Sequence, residues 1–424
     1  MSVAAVSVDG MELRIEQHAL TEAVTWAARV LPTRSPVPLL GGLLLEAEDG
    51  RLRVSGLDHE ASAGVETEAE TIRPGRALVM GRRLLDVCRV LPEGMVTCAV
   101  DSPSRLTLGA GGARFGLSLL PLQDYPAPPA VPQVRGEVDA PSFAAAVAQV
   151  AAAAGRDETL PALTGLRLAL TSETLTLTAT DRYRYALRTI PWKPTEPDTA
   201  PAGLPSAAPE TEARETDAPE TGASAMETPT AVGVAAAAAA PAVEAHLLEA
   251  LVPARRLAEL TRALATEPGT LTVALDDGTL ALATSTRRAT TRLLEGRLPR
   301  HDKLFALGGT PATATLDRAP LTEAVKRVAV VAERDNPIHL TFTGDTVHLQ
   351  AGHEDDVASQ HVPAHLAGEA PLTVAFNPAY LLEALTTFEA PTLHLHLQGT
   401  GQRALLTAGP THQHLLMSMR TPGV

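Results

Sequence analysis

Arginines recur at matched places in this chain, in a pattern suited to holding phosphate. Residues 82–91 read RRLLDVCRVL and residues 255–264 read RRLAELTRAL. Arg82, Arg83 and Arg89 match Arg255, Arg256 and Arg262, and Asp86 matches Glu259. Arg82 and Arg89 are seven residues apart, close to two helical turns, so they share a helix face, as do Arg255 and Arg262. Arg34 follows an upstream helical stretch, and Lys326 and Arg327 extend a later one. Such rows suit diffuse, sequence-independent contact with a nucleic-acid backbone. A net charge of −14 argues the other way. The acids, however, concentrate in strands, turns and one low-complexity stretch, which leaves basic helices on one surface and acid elsewhere.

Catalytic constellations are not evident. GAGGARFG (109–116) is glycine-rich, but no lysine followed by Ser/Thr completes a phosphate loop, so a hairpin turn is expected. Ten of the thirteen histidines lie from His301 onward, with His394 and His396 alternating on a strand and His412 and His414 flanking one residue; no carboxylate or cysteine spacing completes a metal site. Cys88 lies in a helical repeat and reads as a buried thiol. No enzyme, metal or cofactor is expected. Two cysteines, no signal peptide and no apolar run long enough for a bilayer point to a cytoplasmic protein without membrane contact.

The elements that must carry the basic rows also repeat. Leu20-Thr21-Glu22-Ala23-Val24 returns unchanged as Leu321 to Val325, and Phe143 to Val147 offers a middle copy. Tyr380 to Leu385 offers a third copy of the arginine-bearing helix, with Glu383 in its acidic place but no base. Long-period self-similarity means one structural unit used several times. Leu20 precedes Asp86 by 66 residues and Leu321 precedes Glu383 by 62, but Phe143 precedes Glu259 by 116. The middle unit therefore carries an insertion. Residues 194–243, rich in Pro, Ala, Thr and Glu, supply it and are read as disordered, because such a composition buries too little apolar surface to offset its ordering entropy. Between the helices lie alternating runs broken by Asp-Gly, which read as hairpins and meanders. The expectation is an α+β chain of three similar units, 11–132, 133–309 and 310–424, after an N-terminal extension 1–10.

Seven colinear segments then carry a family resemblance: PVPLLGGLLLEAEDGRLRVSG (36–56), ARFGLSLLPLQDYP (113–126), LPALTGLRLAL (160–170), TATDRYRYA (178–186), RRATTRLLEGRLP (287–299), FNPAYLLEAL (376–385) and LLMSMR (415–420). The chain resembles the bacterial sliding clamp, the beta subunit of DNA polymerase III, over everything but the first ten residues and the insertion. The resemblance implies three clamp domains, each with two helices against antiparallel sheets, closing as a head-to-tail dimeric ring. Double-stranded DNA would pass through the hole, and Arg34, Arg82, Arg83, Arg89, Arg255, Arg256, Arg262, Lys326 and Arg327 would face it. The seam would set Phe115 and Leu117 of one protomer against Val330 and Val331 of the other.

The implied partners are the DNA polymerase III catalytic subunit, the clamp loader and other proteins carrying a clamp-binding peptide. They would dock between the second and third domains, on Leu163, Thr180, Arg182, Tyr183, Arg184, Tyr185, Pro299, Lys303, Leu304, Asn377, Tyr380, Leu415, Leu416, Met417, Ser418, Met419 and Arg420. Four positions depart from the family pattern. Tyr185 stands for leucine, Ser418 for proline and Thr421 for an apolar residue, while Arg403 stands at a pocket position that is normally small or proline. Tyr185 and Arg403 add bulk, and Ser418 is expected to loosen the backbone. These departures fit drift within one clamp lineage. They equally fit a second clamp copy whose altered pocket tolerates an inhibitor, for example a cyclic peptide, in antibiotic self-resistance. A protein-binding scaffold that is never loaded in replication is the alternative from a different class.

Overall fold

Each repeated helix shows a narrow apolar stripe, and that stripe determines how it packs. The computed structural model describes residues 10–32, 36–195, 248–266, 269–300, 302–308, 311–332, 336–353, 356–399 and 401–420. Arg34, Thr421 and nearly all of the insertion lie outside them; Pro194 is described, in a short strand that pairs with Gly136. The helices are α1 (Gln17–Ala27), α2 (Gly81–Val90), α3 (Ala140–Ala151), α4 (Ala254–Leu264), the single turn α5 (Asp302–Phe305), α6 (Arg318–Val328) and α7 (Pro378–Thr387). In α2, Leu84 and Cys88 are buried one turn apart, while Arg82, Arg83, Asp86 and Arg89 point outward. In α4, Leu257, Leu260, Thr261 and Leu264 are buried and Arg255, Glu259 and Arg262 point outward. Helices pack in pairs within each unit: α1 on α2, α3 on α4, α6 on α7. Burial pushes the Cys88 thiol up to about 12, so it is an inert packing group.

The hairpin signals hold. Asp49 and Gly50 take φ of 49° and 74° between strands Gly42–Glu48 and Arg51–Leu57, the left-handed pair that a two-residue turn requires. Gly111 and Gly112 do the same between Arg105–Ala110 and Ala113–Ser118, so the glycine-rich run is a turn.

The strands repeat with the helices, and their register fixes equivalences across the units. Leu13, Gly136 and Ala314 each stand seven residues before the matched helix positions Leu20, Phe143 and Leu321. From each, the sheet steps through three cross-strand pairs. Leu13 leads through Cys98 and Leu108 to Phe115. Gly136 leads through Val273 and Leu282 to Ala289. Ala314 leads through Leu395 and Leu406 to His414. Phe115, Ala289 and His414 are thus one position used three times.

The sequence-level picture of separate units misses that the sheets run across unit boundaries. Strand Arg287–Arg292 pairs with Ala61–Glu68, setting Ala289 opposite Ala63. Strand His412–Met417 pairs with Arg184–Pro191, setting His414 opposite Ala186. The result is a nine-stranded and a twelve-stranded sheet beside one of five strands. Both junctions use the same position on each side. Ala63 and Ala186 each lie two residues past the end of a matching four-residue turn, closed by Asp58 with Ala61 and by Asp181 with Arg184. Such pairings join residues more than two hundred positions apart, so no local pattern announces them.

Candidate peptide groove and nucleic-acid surface

The second junction carries most of the groove residues expected from the sequence. The turn 181–184 is built by its own side chains. Asp181 Oδ1 accepts from the Tyr183 and Arg184 amides at 3.1 Å each, and the Thr180 hydroxyl donates to Arg184 O at 2.6 Å. Arg182 sits at φ 84°, a strained value for a side chain, which this network imposes. Arg184 is only 4% exposed. Its Nε donates to Asp181 Oδ2 at 2.9 Å, its Nη1 to Glu383 Oε2 at 2.5 Å, and its guanidinium lies 4.5 Å over the Tyr380 ring. Arg184 is therefore a strut tying α7 to the second unit. Replacing it with methionine leaves Asp181 half-buried without its cation. The expected cost is about 3 kcal/mol in denaturant unfolding, with little loss for the surface variant Arg182→Ala.

Along the last strand, alternation divides the expected liners. Leu415 is buried beside Tyr185 and Leu405, while Leu416 points the other way into the third unit's core. The run 415–420 therefore does not line the groove as a block: Leu416 is core, because successive side chains of a strand face opposite sides. Met417 is exposed and Met419 half-buried. Tyr183 is exposed and stacks on Tyr380 at 6.2 Å. Leu163 is half-buried, and Pro299, Arg182 and Arg420 are exposed. Asn377 caps α7, its Oδ1 accepting from the Ala379 and Tyr380 amides. The side chain of Lys303 lies outside the described residues.

The departures are built in rather than loose. Ser418 does not loosen the backbone. Its amide and hydroxyl both donate to Gln402 O, at 3.0 and 2.7 Å, and a proline could make neither bond. Tyr185 is 2% exposed and donates its hydroxyl to Pro299 O at 2.8 Å. Arg403 Nη1 donates to Leu304 O at 2.7 Å. Phe305, Leu307, Leu405, Asp181 and Glu383 belong to the groove without being expected there from the sequence. Only Asp181, inside TATDRYRYA, and Glu383, in the acidic place of its repeat, carried any signal.

The expected phosphate-facing residues sort into two kinds. Arg82, Arg83, Arg89, Arg255, Arg262, Lys326 and Arg327 are exposed. Arg256 differs: its Nη2 reaches Asp58 Oδ2 at 3.3 Å, where it ties α4 to the first unit much as Tyr380 and Arg184 tie α7 to the second. A second tie at that boundary joins Arg287 to Glu22, with the guanidinium 5.4 Å over Trp26. Several exposed bases are partnered along their own helices, Arg255 with Glu259 and Lys326 with Glu323. Phe115 and Leu117 are half-buried on strand Ala113–Ser118, at the end of the five-stranded sheet. Val330 is 82% exposed, and Val331 packs partly on the third unit's core. No described helix is long and apolar enough to cross a membrane.

Three family descriptions match in order: the N-terminal domain of the DNA polymerase III beta subunit over residues 11–129, its central domain over 137–220 and its C-terminal domain over 309–420. The chain is 38% identical to the beta sliding clamp of Streptomyces coelicolor over 427 residues, covering 97% of this chain and all of that one. It is 35% identical to the beta sliding clamp homolog GriR of Streptomyces muensis, covering 93% of each. Among solved structures, the Pseudomonas aeruginosa clamp bound to griselimycin superposes with a TM-score of 0.80 at 22% identity, covering 97% of this chain and all of that one. The Bacillus subtilis clamp does so at 0.81 and 19%, with the same coverage. The chain belongs to the DNA polymerase III beta subunit family, the bacterial sliding clamps, whose members are processivity factors without a catalytic site.

Proposed function

We propose that two copies of this chain close head to tail into a cytoplasmic ring that encircles duplex DNA and tethers the replicative polymerase and other partners to it. One observation carries the reading. Each internal junction joins the same two edges, and one of each is left over. The spare edges are strand Ala113–Ser118, at the end of its sheet, and the start of Asp356–Ala367. In the latter, His353 pairs with Asp356 across the turn, so Ala358 holds the place of Ala63 and Ala186. A heterologous contact between the spare edges must close or run on as a fibre, and the likeness to the clamps supports closure. The internal register then sets Phe115 of one protomer opposite the partner's Ala358, with Val330 beside the seam.

Within such a ring, Arg82, Arg89, Arg255, Arg262, Lys326 and Arg327 meet phosphate diffusely. That suits a ring held by topology rather than by affinity. The test uses a clamp loader and primed, nicked circular DNA in high-salt wash buffer. The ring is expected to stay on circles and to run off once they are linearised. Release from both forms alike would favour the scaffold reading. Alanine at Arg82, Arg89, Arg255 and Arg262 together is expected to slow loading and flatten its salt dependence, leaving retention on circles intact.

A finer reading concerns the groove. Tyr185, Arg403 and Ser418, which depart from the family pattern, each make a hydrogen bond within this chain, and one relative carries the name GriR while a structural neighbour holds griselimycin. This supports a clamp copy with reduced sensitivity to a groove-directed inhibitor. Parallel titration of this protein and an ordinary clamp with griselimycin tests it, and equal affinity would sink it.

A further inference from the structure

The groove's apolar floor is already covered by the chain itself. Tyr185, Leu405 and Leu415 are buried there, and Leu304, Phe305 and Leu307 pack over them half-buried. Phe305 meets the Tyr185 ring edge-on at 5.5 Å and 89°. Among the described residues, Gln398 Nε2 donates to Gly308 O at 2.7 Å at the tail of this strap, and two groove residues hold it at other places. The Tyr185 hydroxyl reaches Pro299 O at the head of the segment, and Arg403 reaches Leu304 O inside α5. Both donors come from strands of the continuous sheet, on either side of the last strand. The open part of the groove is different in character: the stacked pair Tyr183 and Tyr380, with the exposed thioether of Met417.

We propose that Tyr185 and Arg403 determine the specificity of this groove by clasping the α5 strap over the Leu405 and Leu415 floor, so that the chain's own Leu304, Phe305 and Leu307 occupy the apolar subsite. The proposal rests on reading the groove as the partner-peptide site. A partner peptide first lays a flat side chain, an amide or an aromatic ring, against Tyr183 and Tyr380. Its apolar anchor enters only when the strap lifts, so ligands that depend on that subsite bind weakly. Apolar atoms already packed against one another leave no gain from burying a ligand there. Each clasping hydrogen bond must also break, at roughly a tenfold cost in affinity.

The test compares the wild type, Tyr185→Phe, which removes only the hydroxyl, and the double variant Tyr185→Leu/Arg403→Ala. Each is titrated calorimetrically with griselimycin and with a linear peptide carrying one glutamine and two leucines. Hydrogen exchange at the amides of residues 304–307 is followed without ligand. Exchange should quicken in Tyr185→Phe and more so in the double variant. Griselimycin should bind the double variant on the order of a hundredfold tighter than the wild type, with a smaller gain for the linear peptide. Unchanged exchange, or faster exchange with unchanged affinity for both ligands, overturns the clasp and leaves the groove reading standing if the linear peptide still binds. If the linear peptide binds none of the three proteins, the groove reading falls, and the clasp with it.

Discussion

Phe115→Arg is expected to turn the proposed dimeric ring into monomers and abolish retention on circular DNA. Its position explains the size of the effect. At both internal junctions the equivalent residue, Ala289 or His414, is buried opposite an alanine of the neighbouring unit. In the single chain Phe115 is only half-buried, and in the proposed ring the strand that would cover it belongs to the partner. The other spare edge, the start of Asp356–Ala367, carries exposed Val357 with exposed Val330 nearby, and an uncovered edge of this kind invites aggregation unless a specific partner covers it. An arginine there loses the aromatic contact and forces a charge into a desolvated interface, about 3 kcal/mol per seam. A two-protomer ring has two seams, so the dimer loses on the order of 6 kcal/mol, about four decades in dissociation constant. Sedimentation at micromolar concentration reads this directly. Val330→Asp is the companion variant, since a residue so exposed in the single chain leaves the monomer fold intact. If both variants sediment as the wild type does, the seam lies elsewhere. A cysteine pair at Phe115 and Ala358 tests the register itself: it should cross-link dimers on oxidation, and pairs shifted by one residue should not, because a one-residue slip turns the side chains to opposite faces.

How much of this was legible in the residues depends on how far apart the interacting partners are. RRLLDVCRVL and RRLAELTRAL announce helices whose apolar stripe and arginine face can be read within ten residues, and α2 and α4 show both. Asp49-Gly50 and Gly111-Gly112 announce hairpins because few other residues take those backbone angles cheaply. What stays hidden is set by distant partners. Arg256 looks like a repeat of Arg83, yet Asp58, almost two hundred positions away, claims it. Leu416 looks like a groove liner beside Leu415 until the strand's alternation is anchored to a neighbour. The chemistry of Ser418 alone misleads: the absence of proline suggests slack, whereas the carbonyl of Gln402 converts the freed amide into a tie. The groove's roof, Phe305 and Leu307, carries no motif, since any large apolar residue packs there.

The same repeated position gives the second large effect, under mild acid. His414 stands where the first unit has Phe115, and it is wholly buried between strands; among the described residues neither ring nitrogen meets a hydrogen-bond partner. His412, two residues earlier, is buried against Phe388 at 4.0 Å with only a 3.5 Å contact to Thr387. Burial, aided by the Arg184 and His412 charges, lowers His414 to about 3; burial, aided by Arg188, lowers His412 to about 4. Both are therefore neutral in the fold, while in the unfolded chain they titrate near 6.5. For groups depressed in this way the stabilisation is complete above 6.5 and is lost as pH falls toward the folded values, because only the unfolded state takes up protons in between. At pH 5 both histidines are past the unfolded value and short of the folded one, so the loss does not depend on how far down each is pushed. It is on the order of 2 kcal/mol each, about 4 together. The carboxylates lowered by their partners, Glu66 and Glu323 among them, still hold their charge at pH 5 and add nothing in that window. The third unit is thus expected to loosen first on acidification, seen as faster hydrogen exchange in strands Thr392–Leu397 and His412–Met417 between pH 7 and 5. His414→Leu should stabilise the protein at pH 7 by about 1–3 kcal/mol, since it removes two unsatisfied buried nitrogens. It should also halve the acid slope. A variant that melts like the wild type at both pH values would show that water or a rearranged neighbour already satisfies the ring, and that the third unit's weakness in acid lies in some other group.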